Sequence, residues 1–376
     1  MTDVVVVGAG IVGAACALRC AEAGLDVVVL DAADTPAAGS TGRSAAGVRV
    51  QFAEPVNVAL SLASIREYAG MGEVSGYRDV GYLLLVGEDA WEDHLAGVDT
   101  QRRVGAPVEV WDLDRAAERA GGIVRAGLAG ATFGPLDGTV DPHGITTTYL
   151  DEARRLGVRL RLRTEVVGVE PGGGGWQVAT AGGGGGDVLG TRVVVNAAGA
   201  WSGQVAALAG LDVPVVPVRR LIHLTAPRPG RTPSPLTVDL TSGVYWRTEG
   251  ERVLFGRSDH AQPPGFDAPA APDWLERVLQ AAVSRFPWFA DEAIDERAGW
   301  SGFYEVTPDG NAVVGVHPGT DGWIDACGFS GHGVQHAAAV GRVVAALAAD
   351  EAPAIDVSPL SVTRFAAGAA GERLVI

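Results

Sequence analysis

The chain has 376 residues, 47% of them hydrophobic, and a formal net charge of −16. This length is enough for two domains with sizeable cores, and the acidity argues against nucleic acid or an anionic membrane surface as a partner, because both attract basic patches. All 29 basic residues are arginine, so any mechanism that needs a lysine is excluded.

The chain opens with a strand, a glycine-rich turn and a helix. Consecutive valines at 4–7 predict a buried strand, and a helical run follows at 11–23. A second predicted strand, 26–31, ends on the carboxylate of Asp31. In a Gly-x-Gly-x-x-Gly turn the glycines permit a tight turn, let a pyrophosphate approach the backbone and let the helix pack closely on the strand. With Asp31 placed for a ribose, this order predicts a dinucleotide site. The three glycines are Gly8, Gly10 and Gly13.

A loop of small residues at 37–47 follows, and then a mixed pattern of strands and helices. The segment 137–144 predicts a turn that leads into a helix ending at 157. The other predicted elements as far as residue 162 are helices at 55–68, 88–104 and 113–120, and strands at 81–86, 127–133 and 158–162.

Two glycine tracts, 172–175 and 182–186, bracket a predicted strand and indicate hairpin turns in a small antiparallel sheet. No helix follows either tract, so neither is expected to bind phosphate. The later predicted strands are 176–180, 192–199, 215–225, 243–246, 252–255 and 322–327, and the later helices are 272–285 and 334–349.

This order of elements predicts an α/β protein, α+β overall, in which a Rossmann-type nucleotide-binding domain carries an inserted antiparallel-sheet domain. The nucleotide-binding domain is expected to be discontinuous, and the inserted domain is expected to bind substrate. The first takes residues 1–80, 141–212 and 316–376, and the second takes 81–140 and 213–315.

The cysteines indicate small core residues rather than ligands. Cys16, Cys20 and Cys327 form no CxxC motif, and we expect no metal site. No apolar run reaches the roughly 18 residues of a membrane span. The glycine motif begins so close to residue 1 that we expect no signal peptide before it. These observations predict a cytoplasmic protein.

Two later segments repeat the small-residue character of the opening turn. Residues 196–202 end a strand with small side chains, where backbone must approach a ligand. Residues 328–333 precede the last long helix and contain Gly331 and Gly333, which leave its N-terminus bare. Such a helix end favours negative charge. Together with the opening turn, these segments predict one long cofactor.

With these motifs the chain resembles the FAD-dependent oxidoreductases of the D-amino-acid oxidase superfamily, in particular the branch of glycine oxidase, sarcosine oxidase, dimethylglycine dehydrogenase and the proline dehydrogenase β-subunit. The resemblance implies hydride transfer from an amine-bearing carbon to flavin N5, with an imine product that water hydrolyses. It also implies that the bare helix end faces the anionic N1–C2=O edge of reduced flavin. It covers essentially the whole chain and is carried by residues 7–13, 39–52, 137–142, 196–202, 300–309, 328–333 and 364–365.

The resemblance implies noncovalent FAD. Gly302 stands where monomeric sarcosine oxidases carry a linking Cys, and no His lies near Arg43 and Ser44, where dimethylglycine dehydrogenases carry theirs. His332 either contacts the flavin or only fixes its turn. The implied cofactor-binding residues are Gly8, Gly10, Ile11, Val12, Gly13, Asp31, Ser40, Arg43, Ser44, Ala45, Gly47, Val166, Ala198, Gly199, Trp201, Phe303, Gly331, His332, Gly333 and Val334.

Five residues are candidates for the substrate site. Arg49 falls where sarcosine oxidases place an Arg for the substrate carboxylate; the alternative is a surface or FAD-contacting Arg. Tyr304 replaces a carboxylate-binding Arg of glycine oxidases, and Gln335 replaces a Lys of sarcosine oxidases. Tyr245 and Arg247, on a predicted strand, either line the pocket or are structural.

The expected function is oxidation of a primary or secondary amino acid of glycine, sarcosine or N-substituted glycine type, with dioxygen as acceptor and peroxide as product. One alternative is a dehydrogenase that passes electrons to a quinone or a partner subunit. Another is a flavin-bearing subunit of a larger complex. The absence of lysine does not decide, since some oxidases of the family use a Lys for dioxygen and glycine oxidases do not. The oligomeric state stays open.

Overall fold

In the computed structural model the described residues are 1–182, 186–259, 261–367 and 371–372. The strands are β1 (Thr2–Val7), β2 (Val27–Leu30), β3 (Gly47–Val48), β4 (Tyr82–Gly87), β5 (Glu109–Trp111), β6 (Leu128–Gly134), β7 (Gly138–Thr139), β8 (Arg159–Arg161), β9 (Thr164–Gly172), β10 (Gly175–Gly182), β11 (Val188–Asn196), β12 (Val216–Leu224), β13 (Leu236–Asp239), β14 (Val244–Glu249), β15 (Arg252–Arg257), β16 (Trp300–Val306), β17 (Val313–Val316) and β18 (Trp323–Cys327). The helices are α1 (Ile11–Glu22), α2 (Pro55–Gly70), α3 (Trp91–Val104), α4 (Leu113–Arg119), α5 (Pro142–Arg155), α6 (Ser202–Leu208), α7 (Trp274–Arg285), α8 (Gly333–Ala348) and α9 (Arg364–Ala367).

The first sheet is parallel at its centre. Its strand order is β17-β18-β11-β1-β2-β8, and β10 and β9 extend it from β11 as antiparallel neighbours. The valines of β1 are buried on both faces of the sheet, which explains why the sequence of this strand is an unbroken apolar run at 4–7. Val4 and Val6 pack toward α1 and α8, whereas Val5 and Val7 pack toward Trp323.

The opening turn needs glycine at two positions for steric reasons. Gly8 has a φ of +109°, and a Cβ there would lie 2.3 Å from the Ala197 carbonyl oxygen. A Cβ on Gly13 would lie 2.0 Å from the Gly8 carbonyl oxygen. Close packing continues between α1 and α8, where a Cβ on Gly341 would meet the backbone of Ala15 at 2.8 Å. The turn and helix α1 are therefore held tightly against β1, as the sequence predicts.

The second sheet has the order β16-β12-β15-β14-β13-β4-β6-β5. Its pairs are antiparallel except for β13 and β4, which run parallel; these two strands come from distant parts of the chain, so no hairpin needs to join them. One face packs against α7 and an aromatic cluster that contains Trp246 and Phe255. The other face carries Tyr82, Ile222 and Tyr245 and faces the carboxyl ends of the parallel strands in the first sheet.

The mixed α/β architecture confirms the predicted fold class. Strands of the second sheet come from 82–134 and 216–306, between the segments that build the first sheet. We keep the two-domain division as a proposal. Strand β17 pairs within the first sheet although the sequence boundary at 315/316 cuts through it.

The first glycine tract forms a hairpin turn at Gly173 and Gly174, between β9 and β10. Of the second tract, residues 183–185 lie outside the described residues. Across the described ranges, no helix has the length and apolar character needed to cross a bilayer.

Candidate active site

A cleft of about 810 Å³ lies between the two sheets. Its walls come from the carboxyl ends of β1, β2 and β11, the loop around residues 38–49, the N-terminus of α8 and one face of the second sheet. Ligands of open α/β sheets bind at the carboxyl ends of the strands, and this volume is typical of small-molecule sites.

Asp31 is oriented by the backbone at one end of the cleft. Its carboxylate accepts hydrogen bonds from Ala9 N at 2.6 Å and Ala33 N at 2.8 Å. Strand β9 is tied alongside, because Thr164 N donates to the Asp31 carbonyl oxygen at 2.8 Å, and this brings Val166 to the same end. A fixed carboxylate beside a bare helix N-terminus fits the ribose and diphosphate of a dinucleotide.

The loop from 38 to 49 closes over the opening turn. Thr41 Oγ1 accepts from Ile11 N at 3.1 Å, and a Cβ on Gly10 would lie 3.1 Å from the same oxygen. Ser40 Oγ donates to the Phe303 carbonyl oxygen at 2.7 Å, which connects the loop to β16. The segment after β11 completes this wall, with Gly199 in a left-handed conformation at φ +56°.

The N-terminus of α8 lies deeper in the cleft. Gly331 has a φ of +94°, and a Cβ there would lie 2.5 Å from the Tyr304 ring. The loop before the helix is fixed by Glu305, whose carboxylate accepts from Gly328 N at 2.9 Å. Burial raises the pKa of Glu305 to about 7, although hydrogen bonds from the backbone of Gly328 and Phe329 oppose the rise. The helix begins at Gly333, and its first residues line the cleft, where the N–H groups of a helix N-terminus have no partner within the helix.

The raised pKa of Glu305 predicts a pH dependence of stability. A carboxyl whose pKa is higher in the folded state than its ordinary 4.5 stabilises the fold below pH 4.5, and this stabilisation is lost as the pH rises through about 7. Glu305→Gln does not titrate. Its melting temperature relative to wild type should therefore rise between pH 5 and pH 8.5, by an amount equivalent to at most about 3 kcal/mol. The exposed Glu88→Gln is the control. Parallel melting curves for Glu305→Gln and wild type at all pH values would contradict the assignment.

Arg49 lies at the inner end of the cleft and is 2% exposed. Its guanidinium stacks 4.1 Å from the Phe52 ring centroid, donates to the Gln51 carbonyl oxygen and lies 3.4 Å from His332 Nε2. Burial lowers the pKa of Arg49, and the carboxylates of Glu372 and Asp137 oppose that change. Arg49 is thus a cation whose guanidinium is held in place by buried neighbouring groups.

Three tyrosines surround this end of the cleft, of which Tyr82 and Tyr245 are buried and Tyr304 is half-buried. Burial raises the pKa values of Tyr82, Tyr245 and Tyr304, so each keeps a neutral hydroxyl at physiological pH. Arg220 stands beside them, with its guanidinium carbon 5.2 Å from the Tyr304 ring centroid. The inner end therefore offers hydroxyl donors and two guanidinium groups, a set that suits a carboxylate.

Two of the candidate substrate residues have supporting contacts. Gln335 Oε1 accepts from Arg49 N at 2.8 Å, so its amide holds the Arg49 backbone. Arg247 does not line the cleft. Its guanidinium donates to the Ala45 carbonyl oxygen at 3.0 Å and forms an ion pair with Glu249, so it supports the cleft loop from behind.

Several residues that line the cleft were not predicted from the sequence, among them Thr41, Tyr82, Arg220 and Glu305. Arg220 shares its face of β12 with the buried Ile222, and this alternation of side chains could have placed Arg220 on the same face as Ile222.

Apart from Gly13, which packs behind the turn, all predicted cofactor residues line the cleft: Gly8, Gly10, Ile11, Val12, Asp31, Ser40, Arg43, Ser44, Ala45, Gly47, Val166, Ala198, Gly199, Trp201, Phe303, Gly331, His332, Gly333 and Val334.

Comparison with known proteins decides the family. Residues 3–347 match the DAO family, described as FAD dependent oxidoreductase. The chain belongs to this family. This DAO-family chain is 31% identical to FAD-dependent oxidoreductase domain-containing protein 1 of Xenopus laevis, over 96% of this chain and 82% of that protein. It is 28% identical to glycine oxidase of Geobacillus kaustophilus, over 96% and 97% of the two chains. The solved structure of L-proline dehydrogenase from P. horikoshii superposes with a TM-score of 0.89 at 28% identity, covering 98% and 99%.

The chain is therefore an FAD-dependent oxidoreductase, and the resemblance carried by its motifs is confirmed. The cleft fits FAD, since bare glycine backbone, the fixed carboxylate of Asp31 and two helix N-termini lie along it. In the described part of the chain, no cluster of three or more His, Cys, Asp or Glu residues could hold a metal ion.

Asp31→Ala is expected to weaken FAD binding by roughly 1–3 kcal/mol, because charge-assisted hydrogen bonds to a ribose and to the turn are lost together. Titration of the apoprotein with FAD, followed by flavin fluorescence, gives the dissociation constant. Asp34→Ala removes an exposed carboxylate from the same loop and is the matched control. If both variants bind FAD equally well, Asp31 is not the ribose partner.

Proposed function

We propose that this protein oxidises the C–N bond of an amino acid or N-substituted glycine, of glycine or sarcosine type. Bound FAD supplies the redox chemistry by accepting a hydride from the substrate carbon at N5. The observation that carries the proposal is the cleft itself, in which the glycine-lined part runs on to the Arg49 guanidinium and the hydroxyls of Tyr245 and Tyr304. The imine product is hydrolysed by water.

The side chains at the inner end bind and orient the substrate. Arg49 offers a guanidinium fork for the carboxylate. Tyr245 and Tyr304 keep their protons, because burial raises their pKa values, and can donate hydrogen bonds. His332 stays neutral, because burial and the nearby Arg49 charge lower its pKa well below the ordinary value. This arrangement keeps the local positive charge on the arginines.

We propose that FAD is held without a covalent bond. Gly302 offers no nucleophile, and the space beside it is taken by Arg43, whose Cβ would lie 3.1 Å from a Cβ at position 302. The cofactor would then be held by the glycine turns, Asp31 and the N-terminus of α8.

Dioxygen is the proposed electron acceptor, with one peroxide formed for each imine, in line with the similarity to a glycine oxidase. The second candidate is a dehydrogenase that passes electrons to a quinone or a partner subunit. The close structural similarity to an L-proline dehydrogenase supports it. A flavin-bearing subunit of a larger complex is the third; gel filtration of the chain alone, with an activity assay, separates it from the others.

Anaerobic mixing of the FAD-loaded protein with a panel of amino acids and N-alkyl glycines tests the proposal. Loss of the flavin absorbance identifies substrates, and admission of air then separates the acceptors. Rapid recovery of absorbance with peroxide supports the oxidase; slow recovery that a quinone accelerates supports the dehydrogenase. No absorbance loss with any amino acid would refute the proposed substrate class.

A further inference from the structure

Arg220 is a half-buried cation on the wall of the cleft, beside Tyr304. Its Nη1 donates to two backbone carbonyl oxygens, of Arg219 at 3.2 Å and of Asp259 at 3.3 Å, and its buried Nε has no hydrogen-bond partner. Burial lowers the pKa of Arg220, and of the groups that oppose this change the Asp259 carboxylate contributes least. Within the described ranges Arg220 forms no salt bridge.

Arg49 differs from Arg220 in its surroundings. The carboxylates of Glu372 and Asp137 act on Arg49 from inside the protein. Both guanidinium groups nevertheless act on one hydroxyl, because each lowers the pKa of Tyr304, which burial raises. Both cations therefore act on Tyr304 electrostatically, and all three residues line the same cleft.

The lining between them carries hydroxyl and apolar groups. Tyr245, Ile222 and Leu236 belong to the same wall. Glu305, the carboxyl on β16, accepts from Gly328 N, and its pKa, raised to about 7, leaves it only partly ionised near neutral pH. A half-buried guanidinium without a salt-bridge partner loses hydration and gains little in return, unless a ligand supplies the anion.

We propose that the substrate carries a second acidic group, which Arg220 binds while Arg49 binds the carboxylate next to the reacting carbon. The substrate class is then a dicarboxylic amino acid or an N-carboxyalkyl amino acid. A guanidinium fork matches a carboxylate in geometry as well as in charge. This inference rests on the proposed amino acid oxidation.

Paired substrates and three variants test it. The substrates are aspartate and glutamate in both enantiomers and N-carboxymethyl glycine, compared with alanine and sarcosine. The variants are Arg220→Gln, Arg220→Lys and Arg155→Gln; the last removes the same charge from an exposed position on α5. The readouts are the second-order rate of anaerobic flavin reduction and the dissociation constants of succinate and propionate, measured by calorimetry.

Wild type should prefer dicarboxylates, and Arg220→Gln should lose on the order of 30-fold for dicarboxylates with little change for alanine and sarcosine. Succinate binding should weaken in Arg220→Gln, recover partly in Arg220→Lys and stay unchanged in Arg155→Gln. Equal losses for both substrate groups would mean that Arg220 binds the single carboxylate, and this overturns the inference. Unchanged dicarboxylate rates also overturn it. A wild type that reacts with alanine or sarcosine but not with dicarboxylates refutes the inference alone, whereas a flavin that no amino acid reduces refutes the proposed function.

Discussion

Gly10→Val is expected to give a folded protein without FAD. Gly10 has φ −74° and ψ −179°, an extended conformation that valine adopts without strain. Its Cβ would meet Thr41 Oγ1 at 3.1 Å, a contact that a small side-chain shift relieves. The branched side chain would then occupy the space in front of the α1 N-terminus, where the diphosphate must approach the backbone. Binding and folding are therefore separable at this position.

The neighbouring glycines do not allow that separation. Gly8 has a positive φ, and a Cβ on Gly13 would lie 2.0 Å from a carbonyl oxygen. Substitution at either would disturb the packing of α1 on β1 along with the binding site. Gly10 is thus the informative position of the three.

The measurement for Gly10→Val is the flavin released into the supernatant by acid precipitation, together with circular dichroism for folding. We expect no flavin in the purified variant, which means a rise of at least about 100-fold in the FAD dissociation constant, or about 2.8 kcal/mol, with an unchanged far-ultraviolet spectrum. Gly10→Ala should have an intermediate effect. Gly97→Val, on α3, is the control for a glycine-to-valine change, because a Cβ there would make only an ordinary contact, 3.9 Å from Gln101 Nε2. Full flavin occupancy in folded Gly10→Val would show that the diphosphate lies elsewhere.

Much of the nucleotide-binding half could be predicted from sequence because the residues of each of its motifs are close together in the sequence. Each glycine of the opening turn has its own steric reason, and Asp31 follows the second strand directly. Short-range patterns also place the last long helix, α8, after Gly331. The glycines, the helix and Asp31 lie within about thirty residues of one another, so the motif can be recognised in the sequence, whereas the contact of Gly8 with Ala197 appears only in the structure.

The inner end of the cleft depends on strand pairing across the chain. Strand β16 was not expected, and its register with β12 sets Tyr304 opposite Val218 and Gly302 opposite Arg220. Tyr304 and Arg220 are therefore diagonal neighbours on one face, and such pairs are typically about 7–8 Å apart. Alternation of side chains predicts which face a residue occupies, but not which strand lies beside it.

Arg247 shows the same limit along a single strand. Tyr245 and Arg247 are two residues apart on β14 and share a face. Tyr245 lies within the cleft, whereas Arg247 lies past its edge and contacts Ala45. The period of the strand was predictable, and the extent of the cleft along it was not.

Arg49→Ala is expected to lower kcat/KM for the best amino acid substrate on the order of 30-fold or more, since breaking one side of a desolvated guanidinium–carboxylate pair typically costs about 2–5 kcal/mol. The resemblance implies that Tyr304 and Gln335 replace an Arg of glycine oxidases and a Lys of sarcosine oxidases, and neither residue supplies a cation to share the task. Gln335 instead fixes the Arg49 backbone through its amide oxygen. We therefore expect Arg49 to bind the carboxylate next to the reacting carbon.

A structural role for Arg49 must be separated from this one, because its guanidinium also packs on Phe52 and faces buried Asp137 and Glu372. Arg49→Lys keeps a positive charge near both carboxylates and should retain FAD and most of the stability, yet it lacks the bidentate fork and should recover only part of the rate. The discriminating readout is the ratio of kcat/KM for an amino acid to that for the corresponding amine without a carboxylate. A purely structural loss lowers both rates and leaves the ratio unchanged; a lost carboxylate contact lowers the ratio. An unchanged ratio in Arg49→Ala with FAD still bound would assign the carboxylate to Arg220, the other guanidinium that faces Tyr304.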